Sequence, residues 1–248
     1  MSFTGKVVKV TGTSSGIGAA TAIALSNEGA RVVLLERNAE KLSNVAYKCN
    51  QPLVIRADIS KDEGAQKLIK QTVHEFGQLD VLVNNAGFGS LGSLLNGDIM
   101  KAYDEVMSVN LRAAIHLSKL AAPYLIKTQG KIVNISSVAG QIPSSLPALM
   151  PYSVSKAALN HFSACAAVEL APHGVRVNTG SPGPVITDII ENSGFPWTME
   201  DLQKGTSLNR VSEAQEIADL VLFLASDKAK GVTGSNFLSD NGFAIKRY

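Results

Sequence analysis

Seven short apolar runs, separated by stretches long enough for helices, constrain this chain more than any other feature. The runs are Lys6–Val10, Arg31–Leu35, Leu53–Ile55, Val81–Val83, Lys131–Ile135, Val175–Asn178 and Asn236–Leu238. Most are continuous rather than alternating and rich in Val, Ile and Leu, as strands buried on both faces of a parallel sheet are. Between them, helical patterns cover Ile17–Glu28, Ala39–Tyr47, Glu63–Phe76, Ile99–Ile126, Val154–Ala171 and Ala214–Ala225. Strand–helix alternation requires right-handed crossovers. The predicted fold is therefore α/β, a doubly wound parallel sheet of about seven strands with helices on both faces.

No Pro/Gly/Ser-rich linker and no internal repeat divides the 248 residues, so one domain over 1–248 is expected. Apolar residues make up 45% of the chain and the formal net charge is +2. That balance argues against a nucleic-acid or membrane surface, and no apolar run is long enough to span a bilayer. The Lys246-Arg247 pair reads as a solvated tail. Cys49 and Cys165 lack metal-ligand spacing and read as two reduced thiols. No secretory or transit character marks the N-terminus, so a cytoplasmic location is expected. One long irregular stretch, Ser181–Leu208, interrupts the pattern. Its apolar Phe195, Pro196, Trp197 and Met199 suit either a flap over a ligand (residues 188–208) or a helix pair packed on the core or a partner.

The first run leads into Thr11-Gly12-Thr13-Ser14-Ser15-Gly16-Ile17-Gly18 and then into a helix of small residues. Gly12 permits a tight exit from the strand, Gly16 a close backbone approach to a pyrophosphate, and Gly18 close helix–sheet packing. The helix N-terminus offers unpaired N–H groups and partial positive charge to phosphates. This makes the domain a Rossmann-type dinucleotide binder. The missing Gly-Lys-Ser/Thr ending disfavours nucleoside triphosphate chemistry. Glu36 ends the second run, where a carboxylate would bind adenosine ribose hydroxyls. The neighbouring Arg37 suits either a 2′-phosphate or stacking on adenine. The balance favours NAD(H), with NADP(H) open.

Several further motifs follow in order: Asp58 after the third run, Asn84-Asn85-Ala86-Gly87 after the fourth, Asn110, Ser137, Tyr152-xxx-Lys156, and Pro182-Gly183-x-Val185-x-Thr187. With the glycine turn, the chain resembles the short-chain dehydrogenase/reductase family over nearly its whole length. The resemblance implies an NAD(P)-dependent oxidoreductase that interconverts a secondary alcohol and a ketone. Hydride transfer then needs a matching proton transfer at the substrate oxygen. A phenol ionises near pH 10, too high for a base at neutral pH. Lys156 lies one helical turn from Tyr152 on the same face, and its ammonium and the oxidised nicotinamide would lower the phenol. Ser137 can position the substrate oxygen; Ser136 competes for that part, and the family pattern favours the second serine.

The resemblance further implies that Asn110 holds a water linked to Lys156 and that Lys156 binds the nicotinamide ribose. It places Asp58 and Ile59 on adenine and Asn85, Ala86 and Gly87 along the cofactor path. Ser14, Ser15, Gly16, Ile17 and Gly18 join Gly12 around the phosphates, and Pro182, Gly183, Val185 and Thr187 secure the carboxamide. It also implies a homodimer or homotetramer packed through the helices carrying Asn110 and Tyr152. Gly180 and Ser181 depart from the family pattern, which has an apolar residue and Asn there. The loops beside the site offer Phe88, Leu91, Ile142, Leu146, Leu149, Met150, Phe195 and Trp197, with no Arg or Lys as an anionic anchor. A neutral, lipophilic substrate of steroid or terpenoid size is expected. A catalytically silent nicotinamide-binding regulator or a structural subunit is the alternative, and the intact Asn110, Ser137, Tyr152 and Lys156 argue against it.

Overall fold

The computed structural model describes residues 2–36, 39–95 and 97–246, with only the backbone of Glu36, Ala39, Glu40 and Glu191. All seven expected runs form strands: β1 (Val7–Thr11), β2 (Arg31–Glu36), β3 (Leu53–Arg56), β4 (Val81–Asn84), β5 (Lys131–Ile135), β6 (Arg176–Pro182) and β7 (Asn236–Ser239). They pair in parallel, in the order β3-β2-β1-β4-β5-β6-β7. The chain reverses its direction of travel across the sheet between β1 and β4. A crevice opens there beyond the carboxyl ends of the strands, where ligands bind in such folds.

The helices are α1 (Gly16–Asn27), α2 (Ala39–Tyr47), α3 (Asp62–Phe76), α4 (Ile99–Met107), α5 (Ala114–Thr128), α6 (Met150–Leu170), α7 (Ile189–Ser193), α8 (Met199–Lys204) and α9 (Ala214–Ala225). Alternate strand residues enter two apolar clusters. Val7, Val33 and Leu82 join Leu68, Leu117, Leu125 and Leu170 of α3, α5 and α6. Val8, Val10, Val32 and Leu34 join Leu25, Leu42, Val221 and Leu222 of α1, α2 and α9. Covering both faces explains the near-continuous apolar strands. Among the described residues, no helix is long and apolar enough to cross a membrane.

Two expectations are corrected. The single helix over Ile99–Ile126 is broken by a π-helical segment, Ser108–Ala113, which carries Asn110. Such wide turns turn a side chain inward at a cost in regular hydrogen bonding. β6 runs on to Pro182, so the two departing residues are strand residues. Gly180 pairs with Ile135 and Phe237, and Ser181 with Leu238. The Ser181 hydroxyl meets the Asn236 amide oxygen at 2.7 Å, which satisfies a fully buried polar group. The long stretch that the sequence left open between a flap and a helix pair holds two short helices, α7 and α8. The α8 N-terminus is closed by a reciprocal Thr198–Asp201 capping box.

Candidate active site

The crevice is a cavity of about 830 Å³ above the β1–β4 switch point. At its cofactor end lies the glycine turn. Gly16 has φ +54°, and a Cβ there would come within 2.7 Å of Thr187. A Cβ on Gly18 would lie 2.0 Å from the Gly12 carbonyl oxygen, so α1 sits on the turn only because none is present. Ser15 is the N-cap of α1, yet its side chain makes no capping bond and the first turn contains no acid. The helix start is thus left available to an anion. This cradle of close backbone and uncapped N–H groups fits a dinucleotide pyrophosphate.

Neighbouring strands brace the turn. Thr11 Oγ1 accepts from the backbone N–H groups of Asn85 and Ala86, both at 3.0 Å. Asn85 Nδ2 donates to the carbonyls of Thr11 and Gly12 at 2.9 and 3.1 Å. Gly12, Ser14, Ser15, Gly16, Ile17, Asp58, Asn85, Ala86, Gly87, Pro182, Gly183, Val185 and Thr187 all line the cavity. Gly18 lies beneath the turn. Ile59 does not line the cavity, because its side chain is buried in the apolar cluster with Leu35 and Ile55. The Glu36 side chain and all of Arg37 lie outside the described residues.

The other end holds Ser137, Tyr152 and Lys156, which the fold brings together from the turn just after β5 and from α6. α6 begins at Met150, earlier than expected, with Pro151 in its first turn, so Tyr152 is helical and rigidly aimed. Lys156 Nζ donates to the Ile135 carbonyl at 2.8 Å and lies 5.7 Å from the Tyr152 ring centroid. The two serines separate by strand alternation. Ser136 is buried and donates to the Lys156 carbonyl at 3.0 Å, while Ser137 faces the phenol.

Asn110 is buried and does not line the cavity. Its amide donates to the Phe88 carbonyl at 3.0 Å and to Ser155 Oγ at 3.1 Å, and its Oδ1 accepts from Phe88 N–H at 3.0 Å. Ser155 in turn donates to the Tyr152 carbonyl at 2.7 Å. Asn110 thus ties the loop after β4 to the first turn of α6.

Burial pushes the Tyr152 phenol up, and the Ser137 hydroxyl partly opposes it. Burial also brings Lys156 down to about 8. In the protein alone burial thus outweighs the Ser137 bond, and the oxidised nicotinamide, the other agent expected to favour the phenolate, would act only when bound.

Of the apolar residues expected around the substrate, Phe88, Ile142, Leu149, Phe195 and Trp197 line the cavity, whereas Leu91, Leu146 and Met150 do not. Phe195 stands edge-on to Tyr152 at 6.3 Å between centroids, and Trp197 edge-on to Phe195 at 5.5 Å. Sequence reasoning missed the C-terminal contribution. Lys246 is no loose tail: its ammonium donates to the Thr206 carbonyl at 3.0 Å and also contacts the Lys204 carbonyl, and with Phe243 and Ala244 it walls the cavity. Also missed were Lys41 and Asp188, cavity residues paired at 2.9 Å. No local pattern marks them, since the contact joins positions 147 residues apart.

A family model described as enoyl-(acyl carrier protein) reductase matches residues 12–244. The chain belongs to the short-chain dehydrogenase/reductase family. Membership makes it an NAD(P)-dependent oxidoreductase acting on CH–OH groups. It is 36% identical to an uncharacterized oxidoreductase of Thermotoga maritima, over 98% of both chains. It is 34% identical to an NAD-dependent glycerol dehydrogenase of Listeria innocua, covering 98% of this chain and 95% of that one. A Caenorhabditis elegans short-chain dehydrogenase/reductase solved with cofactor superposes with a TM-score of 0.90 at 31% identity, over 99% and 97% of the two chains.

Proposed function

We propose that this family member interconverts a neutral, lipophilic secondary alcohol and its ketone, with Tyr152 handling the proton at the substrate oxygen and NAD(H) preferred to NADP(H). The observation that carries this reading is the convergence of Ser137, Tyr152 and Lys156 on one cavity beside the glycine cradle. When bound, the nicotinamide gives or takes the hydride. Tyr152 donates its proton to the ketone oxygen in reduction and takes it back in oxidation. Ser137 donates a hydrogen bond to that oxygen and fixes its distance from the phenol. Lys156 holds the nicotinamide ribose hydroxyls, and its positive charge acts with that of the bound oxidised nicotinamide to favour the phenolate. Asn110 keeps Phe88 and the first turn of α6 in place and holds a water at its remaining lone pair, on the proton path from Lys156.

The remaining cofactor contacts are proposed as Gly12, Ser14, Ser15, Gly16, Ile17 and Gly18 around the phosphates. Asp58 and the Ile59 backbone would meet adenine, Asn85, Ala86 and Gly87 the path between, and Pro182, Gly183, Val185 and Thr187 the carboxamide. Glu36 on the ribose, opposed by Arg37, favours NAD(H), and the NAD dependence of the Listeria innocua relative agrees with that preference. The lipophilic substrate class is supported by Phe88, Ile142, Leu149, Phe195 and Trp197 at the substrate end. The exposed Ile115 and Val154 on α5 and α6 support self-association as a dimer or tetramer.

A panel of lipophilic ketones and alcohols beside small polyols, each with NAD(H) and NADP(H), tests the substrate and cofactor assignments through the absorbance of the reduced nicotinamide. The expected result is the highest kcat/KM for a lipophilic ketone with NADH. Preference for glycerol-like polyols would overturn the lipophilic assignment.

A further inference from the structure

Three contacts join the start of the 188–208 segment to the cofactor end of the cavity. Thr187 packs on Gly16 where a Cβ would clash at 2.7 Å. The Ser15 hydroxyl, which does not cap α1, lies beside the Asp188 carboxylate and favours its ionised form. Lys41 of α2 donates to the same carboxylate at 2.9 Å. Asp188 thus places negative charge beside the uncapped start of α1, which is where a pyrophosphate belongs. Two anions cannot share that helix start without a counter-ion. The ammonium already in contact is Lys41, which lines the same cavity.

We infer that Lys41 is a phosphate-binding residue for the dinucleotide and that Asp188 is a built-in competitor for the same cation and the same helix start. The inference rests on the cofactor placement proposed above. As the phosphates settle on Ser15 and the α1 N-terminus, the carboxylate gives up Ser15 and shares Lys41 with them. The Thr187–Asp188 corner leads directly into α7, so this exchange shifts the segment that carries Phe195 over Tyr152. Phosphate occupancy at one end of the cavity is thereby communicated to the aromatic wall at the other. Both side chains are close to half exposed, so either can be replaced without opening the core.

The two roles predict changes of opposite sign in cofactor affinity. Kd for NADH is measured by quenching of protein fluorescence, without substrate, for Lys41→Met, Asp188→Asn and the double variant. Lys41→Met is expected to weaken binding about fivefold to tenfold and to flatten its salt dependence. Asp188→Asn is expected to tighten binding about threefold or more, because a competing charge is gone while the cation remains. A plain structural clasp would weaken binding equally in both variants, with no further loss in the double variant. That outcome, or an Asp188→Asn protein whose affinity is unchanged or weaker, overturns the inference. If the unaltered protein binds neither NADH nor NADPH, the proposed cofactor site fails as well, so the two failures are distinguishable.

Discussion

Lys9 occupies the middle of β1, between Val33 and Leu82 of its neighbours, with no exposed surface. Strand alternation puts it on the same face as Val7, which packs in an apolar cluster. Among the described residues its amine has no hydrogen-bonding partner, and burial holds it well below its ordinary value. Because the folded-state value is lowered, folding releases a proton over the window from that value up to about pH 10.4, so the ionisation part of this residue's cost falls as pH rises and is gone above that window. An unsatisfied buried amine costs about 1–3 kcal/mol. Lys9→Met keeps the volume and removes that cost. Its Tm should rise by about 2–4 °C per kcal/mol at pH 7, and the gain should narrow towards pH 10. Differential scanning fluorimetry across that range checks it, and a lower Tm at pH 7 would contradict it. Residue types alone gave no hint of this: one Lys in Val7-Val8-Lys9-Val10 reads as an apolar run.

At the scale of elements, the 188–208 segment reaches the chemistry through Phe195. The ring is seated against Gly89, where a Cβ would lie 2.2 Å from the Phe195 Cζ, and the Gly89 N–H donates to Ser193 Oγ at 2.9 Å. Phe195→Ala removes an apolar wall worth about 1.5–3 kcal/mol. For a lipophilic ketone kcat/KM should fall about tenfold to a hundredfold, with a much smaller change for a short diketone. Gly89→Leu should reproduce that pattern by displacing the ring. Steady-state kinetics on both substrates checks the pair, and equal losses on both would contradict the filtering role. Sequence reasoning placed Phe195 and Trp197 at the site but could not choose between a flap and a packed helix pair. Short helices such as α7 and α8 are set by their tertiary contacts rather than by periodicity. The π-helical segment around Asn110 was hidden for a similar reason, since its wide turn is held by bonds to Phe88 and Ser155 from elsewhere in the chain.

For the whole molecule, the sheet was legible because strands covered on both faces carry an unbroken apolar signal that few other structures produce. The boundaries that moved are those where tertiary bonds override local pattern, as at Gly180 and Ser181, which extend β6 between two partners. That Gly12, Ser137, Tyr152 and Lys156 meet at one cavity was legible because the proposed dinucleotide binding and proton transfer demand particular residue types at fixed places in this topology. Lys41, Asp188 and Lys246 reach the cavity only through folding, and the ionisation of Tyr152 depends on burial that composition does not reveal. In the proposed mechanism Tyr152 handles the proton while the remaining residues bind and orient. Its most direct test is Tyr152→Phe, measured for NADH affinity and for turnover of the best ketone. The variant should bind NADH within about twofold of the unaltered protein and lose about 10²–10⁴-fold in kcat. Turnover preserved in a variant that binds NADH normally would contradict the claim.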